Sequence, residues 1–149
     1  MNIEKLSLYN RNNLSKAIYS LYDLTKENEN HYPGYTLWWY QKAIPRIFDS
    51  SGEIIFTLDK FNVSGLMIMK KGKDENKLCQ VFVHPEYRKQ GICMSLLEEA
   101  FNFLGTEKPV ITIGEDRLGE FESIINRYNW NCIKIDSSSY NGTEYYFNT

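Results

Sequence analysis

Residues Leu78–Leu104 read LCQVFVHPEYRKQGICMSLLEEAFNFL, and the change of period inside this stretch decides the fold. Leu78 to Val83 is a short apolar run rich in β-forming residues. His84-Pro85 stops it, because proline lacks an N–H donor and turns the residue before it away from helix. From Ile92 the apolar residues Ile92, Leu96, Leu97, Ala100, Phe101 and Leu104 recur on one helical face, opposite Glu98, Glu99 and Asn102. Between strand and helix lies Arg88-Lys89-Gln90-Gly91-Ile92-Cys93. A loop that runs into a helix presents unpaired N–H groups and the positive end of the helix dipole, and here two cations stand beside it. The reading is an anion site, with phosphate as the expected occupant.

Taken from the strand end onward, Val83-His84-Pro85-Glu86-Tyr87-Arg88-Lys89-Gln90-Gly91-Ile92-Cys93 resembles the signature of the GNAT superfamily of acyl-CoA-dependent N-acyltransferases. There, Gln/Arg-x-x-Gly-x-Gly/Ala follows a strand that ends in a Val-x-Pro-Glu-Tyr-like turn. The last position departs, with Cys93 where the family has glycine or alanine, so the pyrophosphate approach there is tighter or shifted. The resemblance implies an α/β (α+β) fold in the order βααβββαβαββ, with a mixed central sheet of about seven strands whose fourth and fifth strands splay apart. It also implies acetyl-CoA as co-substrate and no metal. Main-chain groups of Phe82 and Val83 would pair with the pantetheine amides, and the pyrophosphate would sit on the amides of Lys89, Gln90, Gly91, Ile92 and Cys93. Arg88 or Lys89 would add charge, and Gly91, having no Cβ, would allow close approach.

The bulk properties fit one domain over residues 1–149. At this length roughly two thirds of the unfolded surface can be buried without staples. A hydrophobic content of 42% with 24% charged residues is ordinary for a globular chain, while 15% aromatic is high. A net charge of −2 leaves no electrostatic footprint for nucleic acid or an anionic membrane, so nucleic acid is expected at most as an aminoacyl-tRNA acceptor. Cys79, Cys93 and Cys132 lack CxxC spacing and are odd in number, which argues against a disulfide framework and a zinc site. Free thiols, no cationic-then-apolar N-terminus and no long apolar run together suggest a cytoplasmic protein.

Read in order, Ile3 to Tyr9 alternates as a first strand, and Asn12 or Asn13 caps a helix carrying Leu14, Ala17, Ile18, Leu21 and Leu24. Lys26 to Asn30 frays into a polar loop, and His31-Tyr32-Pro33-Gly34 is a turn in which His31 reads as a solvated loop residue. Tyr35 to Ile47 is a second, aromatic-rich helix ended near Pro45, apolar on more than one face and so in need of cover. In the GNAT fold this helix and the loop before it commonly wall the acceptor site. Glu53 to Asp59, Val63 to Lys70 and Leu78 to Val83 read as three successive antiparallel strands. Gly105 suits a helix end, and Pro109 to Ile113 is a buried strand reached by a right-handed crossover. A last helix around Leu118 to Ile125 and two strands, Trp130 to Asp136 and Thr143 to Phe147, close the chain around the loop from Ser137 to Gly142.

The distal half bears on chemistry. Many GNAT members carry Asn-x-x-Ala-x-x-Leu-Tyr-x-x-x-Gly-Phe, in which the tyrosine protonates the leaving thiolate. With Asn129-Trp130 aligned to Gly-Phe, Leu118, Phe121 and Ile125 fall at the Asn, Ala and Tyr positions, so the usual acid is missing and Tyr128 is the nearby substitute. Asn129 can replace glycine because it tolerates φ > 0. An amine acceptor with a pKa of about 10.4 must lose a proton before it attacks. Some relatives place a glutamate on the fourth strand; Lys77, Cys79 and Gln80 offer no carboxylate there. Glu115 is the candidate base, with Asp116 beside it as the expected helix cap. Cys93, at a helix start beside Arg88 and Lys89, is expected to be the most reactive thiol.

The reading that follows is an N-acetyltransferase that moves an acetyl group from acetyl-CoA to a primary amine of a small molecule or protein by direct attack in a ternary complex, as monomer or homodimer. A CoA-binding sensor or interaction module of the same fold, with turnover lost, is the alternative.

Overall fold

The computed structural model describes residues 2–30, 32–139 and 142–149. Its elements run β1 (Ile3–Lys5), α1 (Arg11–Thr25), α2 (Tyr35–Trp38), α3 (Ile44–Phe48), β2 (Gly52–Asp59), β3 (Asn62–Lys71), β4 (Asn76–Val83), α4 (Ile92–Leu104), β5 (Ile111–Gly114), α5 (Glu122–Tyr128), β6 (Cys132–Ser139) and β7 (Gly142–Phe147). Strands β1-β2-β3-β4 form one antiparallel sheet and β5-β7-β6 another. Among the described residues the two meet at a single parallel bridge, between Lys77 and Val110. Leu78 N–H donates to Val110 O at 2.9 Å and Val110 N–H to Asn76 O at 2.8 Å. Beyond that bridge β4 and β5 part, and a gap opens between them.

Helices cover both faces. On one, Leu96, Leu97, Ala100 and Phe101 of α4 pack with Phe121 and Ile124 against Met67, Leu78, Val81 and Ile113. On the other, Leu21, Tyr35, Trp39, Ile44 and Ile47 pack against Ile54, Phe56, Leu66 and Ile68. The contiguous buried runs of β2 and β3 follow from this two-sided cover, since a strand roofed on both faces need not alternate.

Several boundaries differ from the sequence reading, each for a local reason. β1 stops at Lys5 and Leu6–Leu8 turns as a 3-10 helix, because the buried Glu53 carboxylate accepts from the Ser7 backbone N–H and hydroxyl. Asn10, not Asn12 or Asn13, caps α1 by accepting from Asn13 N–H at 3.1 Å. Lys26–Asn30 winds on as a 3-10 segment. The second helix does not end at Pro45. Trp39–Ala43 forms a π turn between α2 and α3, closed by Ile44 N–H to Trp39 O. The widened turn sits just ahead of the proline, whose ring and missing N–H disrupt ordinary helical bonding. Cover on that segment is incomplete, for Leu37 and Tyr40 stay exposed.

Downstream, β5 begins at Ile111 because Pro109 cannot donate and Val110 belongs to the bridge. Before α5 the chain runs as a 3-10 segment, Glu115–Phe121, and β6 extends through Ser139, beyond its expected end at Asp136. Asn129 ends α5 at φ 55°, the conformation expected of a glycine substitute. His31, Tyr140 and Asn141, placed above in two loops, lie outside the described residues.

Candidate acyl-CoA site

Two elements fix the loop after β4. The Pro85–Tyr87 turn is capped by His84 Nδ1, which accepts from Glu86 N–H at 3.2 Å, and Tyr87 Oη donates to Asp59 Oδ2 at 2.8 Å, tying the turn to the β2–β3 hairpin. That bond and burial raise the Tyr87 pKa. Lys89 at φ 64° and Gly91 at φ 80° bend the backbone sharply ahead of α4. Among the described residues no partner is present for the N–H groups of Lys89 through Met94, and the first α4 bond is Ser95 N–H to Gly91 O at 3.1 Å. A Cβ added at Gly91 would meet nothing within 4 Å, so the loop is open on the side an anion would approach. The unpaired donors, the helix start and two exposed cations are the groups that favour an anion such as a pyrophosphate.

The height of this loop over the sheet depends on Gly65, which the sequence reading passed over. A Cβ there would lie 2.9 Å from Ile92 Cγ2, 3.1 Å from Leu96 Cδ1 and 3.1 Å from Phe82 O. Only a residue without a side chain lets the first turn of α4 settle on β3. The signal was present: a lone glycine inside an apolar strand marks close backbone approach.

The gap-facing backbone of β4 differs from expectation in one residue. His84 N–H donates to Ser64 O at 2.8 Å, and with Leu66 opposite Phe82 this alternation turns the Phe82 main chain toward β3. Phe82 therefore cannot pair with a pantetheine amide; Val81 and Val83 face the gap. Arginines hold both of their carbonyls, Arg117 Nη1 reaching Val81 O at 3.1 Å and Arg88 Nε reaching Val83 O at 3.2 Å. Gln90, by contrast, turns its side chain back to Glu86 O at 3.3 Å.

On the α1–α3 face of β4, Tyr35 Oη donates to Gln80 Oε1 at 2.6 Å and lies 2.9 Å from Thr25 Oγ1. Burial raises the Tyr35 pKa. Trp38 and Phe82 pack beside this group, and the fully buried Trp39 indole N–H has no partner among the described residues. Glu29 accepts from Gly34 N–H at 2.9 Å and Thr36 N–H at 2.7 Å, which anchors the loop between α1 and α2.

The other predicted residues are more dispersed. Glu115 is exposed at the start of the 3-10 segment beyond β5. Asp116 does not cap a helix, since Gly114 is the N-cap and receives no side-chain bond. Tyr128 packs edge-on against Phe101, with centroids 4.9 Å apart, and Arg127 covers it, so its ring belongs to the core between α4 and α5. Cys93 is half-buried and its thiol pKa is raised by burial, an effect larger than the opposing pull of Arg117. The helix start does not activate it, because the side chain points into packed surroundings. Among the described residues no cluster of His, Cys, Asp or Glu side chains is arranged to hold a metal ion, and no helix is long and apolar enough to cross a membrane.

No family model and no curated protein matches the chain. Solved structures do match. An acetyltransferase of the GNAT family from Bacillus cereus aligns at TM-score 0.63 and 18% identity over 99% of this chain and 95% of the other. PaiA N-acetyltransferase from Thermoplasma acidophilum, in complex with coenzyme A, aligns at TM-score 0.63 and 16% identity over 98% of each chain. Nourseothricin acetyltransferase aligns at TM-score 0.57 and 14% identity over 66% of this chain, which spans 65% of that protein's length. The fold is that of the GNAT superfamily.

Proposed function

We propose that the protein is an N-acetyltransferase that uses acetyl-CoA and a primary-amine acceptor in a ternary complex. The observation that supports this reading is the run of amides from Lys89 to Met94, in the loop that leads from β4 into α4, which have no partner among the described residues. Val81 and Val83 supply the main-chain groups a pantetheine arm would pair with. Arg88 and Lys89 supply charge. The bound coenzyme A of the PaiA structure and the antibiotic and polyamine acceptors named for similar folds support an amine acetylated from this cofactor. Three unpaired cysteines support a reducing compartment such as the cytoplasm.

Acetyl-CoA brings the activated acyl group; the chain's part is to hold the thioester beside the amine and to accept the amine's proton. Gln80, Tyr35 and Trp38 form the acceptor wall next to the gap. Glu115 is the residue to test first as proton acceptor, because the packing of Tyr128 against Phe101 gives that tyrosine a structural role. Release of free CoA from acetyl-CoA across a panel of amines tests the activity, and no amine-dependent release would overturn it. In the active pair, Glu115→Gln is expected to lower turnover by about 10²-fold with little change in acetyl-CoA affinity, the scale of a general base. Turnover within a few-fold of the parent would remove Glu115 from the mechanism.

A further inference from the structure

Arg117 lies outside the motif that defines the cofactor loop, yet it reaches into the gap. It follows β5, and its Nη1 crosses to the Val81 carbonyl on β4, 36 positions away in the chain, at 3.1 Å. The register leaves that carbonyl without a strand partner, and Val81 is 6% exposed, so its oxygen needs a donor. The guanidinium provides one. Val81 lies two residues before the end of β4, and the loop that follows carries the unpaired amides of the anion cradle. The remaining contacts of Arg117 are light: Nε bonds Glu120 Oε2 at 3.0 Å with the two side chains 45% and 51% exposed, and the group lies 5.5 Å over the Phe121 ring. An exposed ion pair of this kind contributes little to stability, so the guanidinium can move cheaply.

We propose that Arg117 is a cofactor-exchanged residue: the pantetheine arm takes its place on Val81 O, and the freed guanidinium turns to the cofactor's pyrophosphate. The inference rests on the acetyl-CoA reading. Both halves of the exchange are conservative. Val81 O trades one donor for another, and Arg117 trades a neutral carbonyl for an anion whose paired oxygens match its planar fork of donors. Glu120 can keep Nε throughout, as the pivot about which the Nη groups swing.

The exchange predicts effects of opposite sign on two ligands. Arg117→Met keeps an apolar stem over Phe121 and removes both the charge and the competing donor. Acetyl-CoA should bind this variant about tenfold more weakly than the parent, as expected for the loss of a charge-assisted hydrogen bond. S-acetylpantetheine, which has the amide arm and thioester but no pyrophosphate, should bind as well as or better than to the parent. Calorimetry and displacement measure both, and the melting temperature of the free variant confirms that it folds. Equal weakening of both ligands would make Arg117 merely structural, and unchanged acetyl-CoA binding would make it a bystander; either overturns the inference alone. A parent that binds neither ligand would overturn the acetyl-CoA reading itself. Where the pantetheine arm is too weak to measure, the guanidinium Nη–H resonance of Arg117 decides. Acetyl-CoA should shift it, and an unmoved resonance at saturation overturns the exchange.

Discussion

Gly91→Glu separates a pyrophosphate cradle from an ordinary helix start. A Cβ added at this position has nothing within 4 Å apart from its chain neighbours, so the substitution starts without a clash. The cost is conformational: φ is 80°, and a side-chain-bearing residue in the left-handed region costs about 1–2 kcal/mol. At about 2–4 °C per kcal/mol for a chain of this size, the unliganded melting temperature should fall by about 2–8 °C. Acetyl-CoA at a hundredfold excess over its dissociation constant should stabilise the parent by about 2.7 kcal/mol, a rise of about 5–11 °C. In the variant a carboxylate stands where the diphosphate must meet the amides of Gly91 to Cys93, and the rise should vanish. Gly91→Asn is the control, because asparagine tolerates positive φ and adds no charge; it should melt nearer the parent and keep part of the response. Thermal melts of the three proteins with and without acetyl-CoA make the comparison. A full ligand-induced rise in Gly91→Glu would refute the placement of the cofactor, because a carboxylate near a helix N-terminus is otherwise harmless or mildly favourable.

Two further outcomes follow from the same geometry. Cys132 is exposed while burial raises the thiol pKa of both Cys79 and Cys93, so iodoacetamide near neutral pH should label Cys132 first, as peptide mapping would show; faster labelling at Cys93 would contradict its packing. Glu29 has its pKa lowered by the Thr36 and Gly34 N–H groups, so its contribution is present above the unfolded value of about 4.3 and is lost as pH falls through the lower folded value. Trp38 and Trp39 fluorescence should report loosening of this loop in acid, and Glu29→Gln should show the loosened signal already at neutral pH; identical signals in both proteins would show that the anchor does not order the wall.

Much of the fold was legible because its signals are strong and local. The six apolar positions from Ile92 to Leu104 form one helical stripe and are all buried, and α4 has the limits expected of it. Strands β2 to β4 were marked by apolar runs between polar turns, and they pair as a meander. The π turn at Trp39–Ala43 was not legible, because a widened turn depends on how the chain resolves the clash at Pro45, and no residue type announces it. Nor was the early end of β1, which is set by a carboxylate 46 positions from Ser7.

The misplacement of one gap-facing residue has a specific cause. Leu78 points its N–H at β5, and an unbroken strand would repeat that orientation at Gln80 and Phe82. The pairing with β3 instead skips a residue: Ile68 is opposite Gln80 and Met69 opposite Leu78, which leaves Cys79 as a bulge. One extra residue reverses the parity of everything after it, so the groups beyond the bridge that face the gap are those of Val81 and Val83. The bulge lies just beyond the bridge, where β4 and β5 begin to part. It therefore bends the strand where the gap opens, and in the same step it selects which carbonyls line the gap and which arginines, Arg88 and Arg117, hold them.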